Sequence, residues 1–392
     1  MKVTDMKLTE PVYGKLARFW SNAISDGPRG SLLTFRALQV FTDEGITGVG
    51  PWRGGPVANL ESLRPFVVGE DPMDVERIWH KMYWSHFSDG RSGVIVRAMG
   101  AIDVALWDAI GKALKKPVYK LLGGFKSRVP CYASGGGIGF YGKDEPKEMQ
   151  GYVEQGFKAV KMKIGMQNFQ DDLARVKAVR DAVGWDVDIL LDVNNGWSVN
   201  TAIRCAKNLE KYEPGWLEEP VLTDDIPGMA RLAAATEIPI ATGENEDNLL
   251  VFKAYMENEC CDVIQADPIH CGITQWRKIA AMAEAHNLHV APHFSNPHRV
   301  DAHCVAAVPN GLGVEQWFMS EAEPNFDFWK PALEPKEGWI DLPQSPGFGI
   351  ELDFGAMQRY REENKIDPRT MPMQTTSGPK TARLYFRSAL PP

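Results

Sequence analysis

Apolar positions recur along this chain in three textures. Up to about residue 60 they alternate with polar ones in strand-like runs, notably LLTFRALQVFTDEG and ITGVGPW, which the Asp43-Glu44-Gly45 turn would join as antiparallel strands. The period then lengthens to that of a helix over 72–88 and 96–114, the second bringing Ile102, Ala105, Leu106, Ala109, Ile110 and Ala113 to one face. From Arg128 onward strand and helix alternate strictly, which predicts parallel strands with right-handed crossovers. Amphipathic outer helices are expected in DDLARVKAVRDAV, NTAIRCAKNLEKY, TQWRKIAAMAEAH and RVDAHCVAAV. After Glu315 the pattern dissolves into Pro- and Gly-rich sequence such as LPQSPGFGIELD, with a polar tail from about Lys365 that is a packing arm or disordered. The class is therefore α/β. An α+β domain over 1–127 precedes a (β/α) barrel over 128–330, and a segment over 331–392 closes the chain.

The apolar runs of the barrel region end in charged or polar residues at a regular interval. Lys161 and Lys163 lie in AVKMKIG, Asp192 in ILLDVNNGW, Glu218 in WLEEP, Glu244 in IPIATGEN, Asp267 in DVIQADP, His293 in HVAPHF and Glu315 in GVEQW. From Lys163 to Glu315 the successive steps are 29, 26, 26, 23, 26 and 22 residues, one strand-plus-helix unit each. A (β/α) barrel builds its active site from the C-terminal ends of successive strands, so this ladder reads as the site of an enzyme.

Composition narrows the surroundings. The 392 residues exceed one barrel of roughly 200–250 residues, so two domains are expected. A hydrophobic fraction of 44% with 24% charged residues is that of a globular protein, and a net charge of −8 without a basic, aromatic-interleaved cluster argues against nucleic acid as a partner. The six cysteines contain no CxxC pair, the N-terminus lacks a signal-peptide core, and no run of about 18 apolar residues occurs, so reduced thiols, no membrane span and a cytoplasmic location are expected.

Asp192, Glu218 and Glu244 close three consecutive strands. One such acid alone would more often be a cap or a surface ion pair, but three in register supply hard oxygen ligands suited to Mg²⁺. The strand period of two puts Lys161 and Lys163 on one face, where a neighbouring cation and a second ammonium would depress Lys163 toward the pKa of a general base. His293 follows Asp267 by one unit, so a carboxylate can fix its tautomer and raise its basicity. Glu315, if protonated, could donate a hydrogen bond to enolate charge. The set suits removal of the proton α to a carboxylate, with the resulting enediolate held by Mg²⁺, Lys161 and Glu315. Return of the proton on the other face is racemisation or epimerisation, and loss of a β-hydroxyl is dehydration. A Schiff-base aldolase would use the lysine but leave three carboxylates without a role.

The motifs AIDVALWDAIGKALKKPVYKLLGG at 101–124, KMK at 161–163, DVNNGW at 192–197, LEEP at 217–220, GEN at 243–245 and the Asp267, His293, Glu315 series together resemble the enolase superfamily, in its mandelate racemase/muconate lactonizing enzyme branch. The resemblance implies a modified TIM barrel under an N-terminal α+β capping domain completed by the C-terminal segment. It implies one Mg²⁺ on Asp192, Glu218 and Glu244, Lys163 and His293 as bases with Asp267 behind the histidine, Glu315 as electrophile, and a homo-oligomer. Lysine paired with a His/Asp dyad is the mandelate racemase subgroup arrangement. Acid-sugar dehydration is the commoner activity there, racemisation or epimerisation of a hydroxycarboxylate the alternative, while cycloisomerases and dipeptide epimerases usually carry lysine at the later position. Cys271-Gly272 stands where relatives often have a glycine pair. Capping loops over 14–29 and around Pro51 would close on the substrate, making Arg18, Trp20, Asn22, Arg29, Trp52 and Arg53, with Asn194, candidate contacts to a polyhydroxy acid.

Overall fold

In the computed structural model, residues 1–17, 20–27, 30–138, 144–166, 168–293, 298–318, 326–371 and 375–376 are described, with the side chains of 20, 21, 26, 27, 375 and 376 left aside. The N-terminal region forms an antiparallel sheet in the order Val3–Leu8, Ala37–Thr42, Thr47–Pro51. Gly45, at φ +74°, makes the turn between the last two strands. Leu32–Phe35, the start of the first apolar run, separates from the sheet to pair with Val12–Lys15.

Against this sheet lies the helix Val94–Ala113. Its apolar residues were expected to mark one face, yet Ile95 to Gly111 is buried except at Arg97. The helix is sandwiched: Gly48 and Gly50 admit it so closely that a Cβ on Gly48 would lie 2.0 Å from the Ala105 carbonyl oxygen, and on its other side Gly100 abuts the His270 carbonyl.

Eight parallel strands follow, each numbered here by its place in the barrel: Arg128–Ser134, Ala159–Lys163, Asp188–Asp192, Trp216–Glu218, Ile240–Thr242, Val263–Ile264, His289–Val290 and Val314–Trp317. Sequential strands are neighbours, the eighth pairs with the first, and the seventh meets the eighth through a parallel bridge between Val290 and Gly311. This is the expected modified (β/α) barrel below an α+β domain. Helices Phe169–Val183, Val199–Leu209 and Ile273–Ala285 fall where the periodicity placed them. Val300–Ala307 is different, being buried on every side rather than amphipathic, because Val118–Leu121, Pro268–Cys271 and the first and eighth barrel strands pack around it, with single bonds to the C-terminal segment. His303 there bonds the Phe348 carbonyl at 3.1 Å, and Arg299 the Leu333 carbonyl at 2.9 Å.

The C-terminal segment runs antiparallel to the first barrel strand at Trp339–Asp341, then returns to the N-terminal region. There Phe326, Phe328 and Tyr360 cluster with Phe35, and Thr375–Thr376 pairs with Ser25–Gly27. The barrel interior is floored by Tyr132, Leu190, Trp216, Ala241, Val263 and Ala291, one residue from each of six strands or strand ends. Tyr132 is the register partner of Glu315 and Leu190 that of Lys161, so this apolar layer shares its level with part of the polar ladder. No helix among the described residues is long and apolar enough to cross a membrane, and all six cysteines are free and buried.

Candidate active site

Parallel register builds the site. Lys163, Asp192 and Glu218 are aligned across the second, third and fourth strands, so three inward side chains share one level at the C-terminal end. Ligand oxygens of Asp192, Glu218 and Glu244 all lie within 4.8 Å of one another, and all three residues are buried. Lys161 Nζ donates to Glu218 Oε1 at 2.5 Å and lies 3.3 Å from Asp192 and 3.5 Å from Glu315, while Lys163 Nζ bonds Asp192. On the other flank His293 Nε2 is 3.3 Å from Glu244 and 3.9 Å from Glu315, and its Nδ1 is 3.9 Å from Asp267. The acidic triad is thus bracketed by ammonium groups from the second strand and an imidazole following the seventh. Every ladder residue named from the sequence is in this one cluster.

The charge states follow from crowding. Burial alone would raise Asp192, but the Lys163 and Lys161 ammoniums outweigh it and hold the carboxyl down at about 2. Glu218 goes the other way, to about 8, because burial and the Asp192 charge exceed the pull of Lys161. Burial disfavours the His293 cation, yet the Glu244 charge, the Asp267 hydrogen bond and Glu315 raise it to about 9.

The protein's own groups set two further charge states. Burial lowers Lys163, but the Asp192 charge overcomes it and the pKa is raised; the depression expected beside a bound cation belongs to a different state of the site. Burial pushes Glu315 up, but Lys161 and His293 bring it down to about 2. In both cases opposite charges at close range outweigh desolvation.

Of the candidate substrate contacts, Arg18 and Arg29 lie outside the described residues, as does the Trp20 side chain. Trp52 is core: 8% exposed, its indole N–H donates to the Gly55 carbonyl at 2.8 Å. Asn22 spends its Oδ1 on its own turn, accepting from Ile24 N, Ser25 N and Ser25 Oγ. Both side chains are thus engaged within their own loops. The loop carrying Asn22 does reach the barrel, for a Cβ on Gly165 or Gly196 would come within 2.7 Å of the Ala23 methyl. Arg53 is exposed, and its charge acts on His270 and His298 on the His293 flank. Asn194 is buried, with its backbone N–H on Asp192 Oδ1 and its Nδ2 3.4 Å from Glu244.

Further residues complete the cluster. Trp216 donates its indole N–H to Glu218 Oε2 at 3.1 Å, and the Trp317 ring lies 5.6 Å from Lys163 Nζ. Both stand two residues from a ladder acid on the same strand, so the strand period would have found them. Glu219, in the left-handed region at φ +37°, accepts from Asn195 and Asn245 at 2.6 and 2.8 Å. Nothing in the LEEP motif alone distinguishes its outward role from that of Glu218.

Comparison with known proteins agrees with this architecture. The family model of the mandelate racemase/muconate lactonizing enzyme N-terminal domain matches residues 31–123, and that of the enolase C-terminal domain-like family matches 144–356. The chain is 34% identical over 345 residues to an arabinonate dehydratase of Saccharolobus solfataricus, covering 83% of this chain and 90% of the relative. It is 31% identical over 353 residues to a 3,6-anhydro-alpha-L-galactonate cycloisomerase of Streptomyces coelicolor, covering 86% and 94%. That relative removes the force of setting cycloisomerases aside on His293. The solved L-talarate/galactarate dehydratase of Salmonella typhimurium LT2, liganded with Mg and L-lyxarohydroxamate, superposes with a TM-score of 0.82 at 29% identity, over 97% of this chain and 95% of that one. The chain belongs to the mandelate racemase/muconate lactonizing enzyme family of the enolase superfamily.

Proposed function

We propose that this protein is a Mg²⁺-dependent hydro-lyase that removes the α-proton of an acid sugar and expels its β-hydroxyl, giving a 2-keto-3-deoxy acid. The observation that carries the reading is the bracketing of three buried carboxylates by Lys161 and Lys163 on one flank and His293 on the other. The donor set fits a hard divalent cation: three carboxylates, no thiolate and no imidazole, with Glu218 pushed up by burial and by the Asp192 charge, a crowding of negative charge that a cation relieves. Asp192, Glu218 and Glu244 would hold Mg²⁺, which when bound acts as a Lewis acid on the substrate carboxylate. A metal-bearing dehydratase among the solved relatives supports the same choice.

The remaining work falls to the chain's own groups. Lys163 and His293 exchange protons with the substrate from opposite flanks, one taking the α-proton and the other delivering a proton to the departing hydroxyl, so the C–H and C–O bonds break with net loss of water. Lys161 faces the developing enediolate charge, and Glu315, when it carries a proton, would donate a hydrogen bond to the same charge. Asp267 orients His293. Asn194 and Arg53 are proposed to meet the substrate hydroxyls or its distal end, with Arg18, Trp20 and Arg29 on the covering loops. The division into residues 1–127, 128–330 and 331–392 is likewise our reading. So are the homo-oligomer and the cytoplasmic location.

The experiment is a screen of Mg²⁺-loaded protein against mono- and diacid sugars, with 2-keto-3-deoxy acid read by semicarbazide. A hit establishes dehydration. A blank from protein shown to bind Mg²⁺ overturns it and favours racemisation or epimerisation, in which the second group returns the proton instead of releasing water.

A further inference from the structure

The turn that follows Asp267 is held by the N-terminal domain rather than by the barrel. Helix Ile273–Ala285 begins at Gly272, a glycine at φ +74° with no side chain to cap it. The cap comes from Asp103, in the middle of helix Val94–Ala113. Its Oδ2 accepts from Thr274 N at 2.8 Å and its Oδ1 from Thr274 Oγ1 at 2.5 Å, while Thr274 Oγ1 accepts the Trp107 indole N–H at 3.0 Å. Every proton in this chain has a consistent direction, and Asp103, Thr274 and Trp107 are all buried. A carboxylate at a helix N-terminus is also favoured by the helix dipole.

The brace reaches the dyad through three short links. Gly100, one turn before Asp103, lies so close to the barrel turn that a Cβ would sit 2.3 Å from the His270 carbonyl oxygen. Within the braced helix, Trp276 donates its indole N–H to the Ala266 carbonyl at 3.0 Å, fixing the residue next to Asp267. Asp267 itself receives Ile269 N at 2.9 Å on Oδ1, leaving Oδ2 toward His293. The Cys271 thiol in the same turn is spent on the Asp267 carbonyl at 3.3 Å.

We infer that Asp103 is a positioning residue for the His293 half of the site: through Thr274 and the turn 267–272 it sets where Asp267 stands behind His293, and so couples docking of the N-terminal domain to one of the two proton-transfer groups. Among the described residues, Lys163, on the second strand, shares no hydrogen bond with this brace. The inference rests on the proposed two-sided proton chemistry, and its consequence is an asymmetry that general loosening of the fold would not produce.

The test uses Asp103→Asn, which keeps the shape but brings an N–H against Thr274, and Thr274→Val, which removes both bonds of the hydroxyl, to Asp103 and from Trp107, but keeps the backbone bond, should the first variant fail to accumulate. Exchange of the α-proton in D₂O is measured for both epimers of a substrate, the epimer served by His293 being identified with His293→Asn. We expect that exchange to fall about 10–100-fold, with the Lys163 epimer changed by no more than about threefold. A parallel readout needs no substrate: the low-field proton resonance of the His293 Nδ1–H, identified by its loss in His293→Asn, should broaden or shift in both variants. Equal losses for the two epimers, or an unchanged resonance and unchanged exchange, would overturn the inference. Wild-type protein that exchanges neither epimer, while the variants shift the resonance, would instead reject the proposed reaction and leave the brace standing.

Discussion

Lys163 and Asp192 are register partners on adjacent parallel strands, and their side chains meet in a buried ammonium–carboxylate hydrogen bond. The same Asp192 also lies 3.3 Å from Lys161. One carboxylate thus serves both the lysine flank and the acidic triad, so cation binding and lysine protonation compete for a common group. Burial opposes the Lys163 charge but Asp192 sustains it, and a divalent cation taking Asp192 weakens that support.

Removing one carboxylate of the triad should therefore disable both metal binding and turnover. For Glu218→Gln we expect Mg²⁺ affinity to drop by at least roughly 100-fold, the upper end for groups that merely support ligands. Isothermal titration with Mg²⁺ measures it. Affinity within a few-fold of wild type would remove Glu218 from the proposed ligand set.

Trp216→Phe tests the layer beneath. The indole N–H on Glu218 Oε2 orients that carboxylate, and the ring otherwise packs edge-on to Tyr132 at 5.3 Å. Losing the bond but keeping the ring should weaken Mg²⁺ about 10-fold with little change in Tm. A large loss of Tm without loss of affinity would make Trp216 a packing residue only.

How much of this was readable beforehand depends on range. The ladder was legible because a period of two and a βα repeat are local properties that fix which side chains reach the barrel mouth. Charge states were not, since Lys163 and Glu315 are set by neighbours from other strands. The partners of Trp52 and Asn22 were hidden for a similar reason: their position on covering loops says nothing of the Gly55 carbonyl or the Ser25 turn that engages them. The burial of Val300–Ala307 depends on elements far away in sequence, such as Val118–Leu121 and Arg128–Ser134, packing against it.

Acid stability carries a signature of His303. Burial lowers its pKa to about 3, against the Phe348 carbonyl. Nδ1 accepts from Tyr119 N at 3.2 Å, so protonating it would set two donors against each other. The folded state then binds fewer protons than the unfolded chain between pH 6.5 and about 3. Stability contributed this way is present above the unfolded value and is lost as pH falls, by about 1.4 kcal/mol per pH unit. Urea unfolding of His303→Gln from pH 7 to 4 should show a shallower slope by that amount. Parallel slopes would exclude His303 as the source.

Gly48→Ala probes the interface that carries the long helix. Its Cβ would collide with the Ala105 carbonyl, which is backbone and cannot swing aside. A destabilisation of at least roughly 1–3 kcal/mol is expected from such overpacking. Thermal or denaturant melts measure it, and an unchanged midpoint would contradict the close packing described.

In the proposed reaction two groups on opposite flanks of one acidic triad handle the α-proton. The most direct test is proton NMR of α-proton exchange in D₂O, with Mg²⁺, for both epimers of a substrate found in the acid-sugar screen. Lys163→Ala should abolish exchange of one epimer and His293→Asn that of the other, each by roughly 100-fold or more. Loss of both epimers' exchange in only one variant, with the other fully active, would show a single base and contradict the two-flank reading.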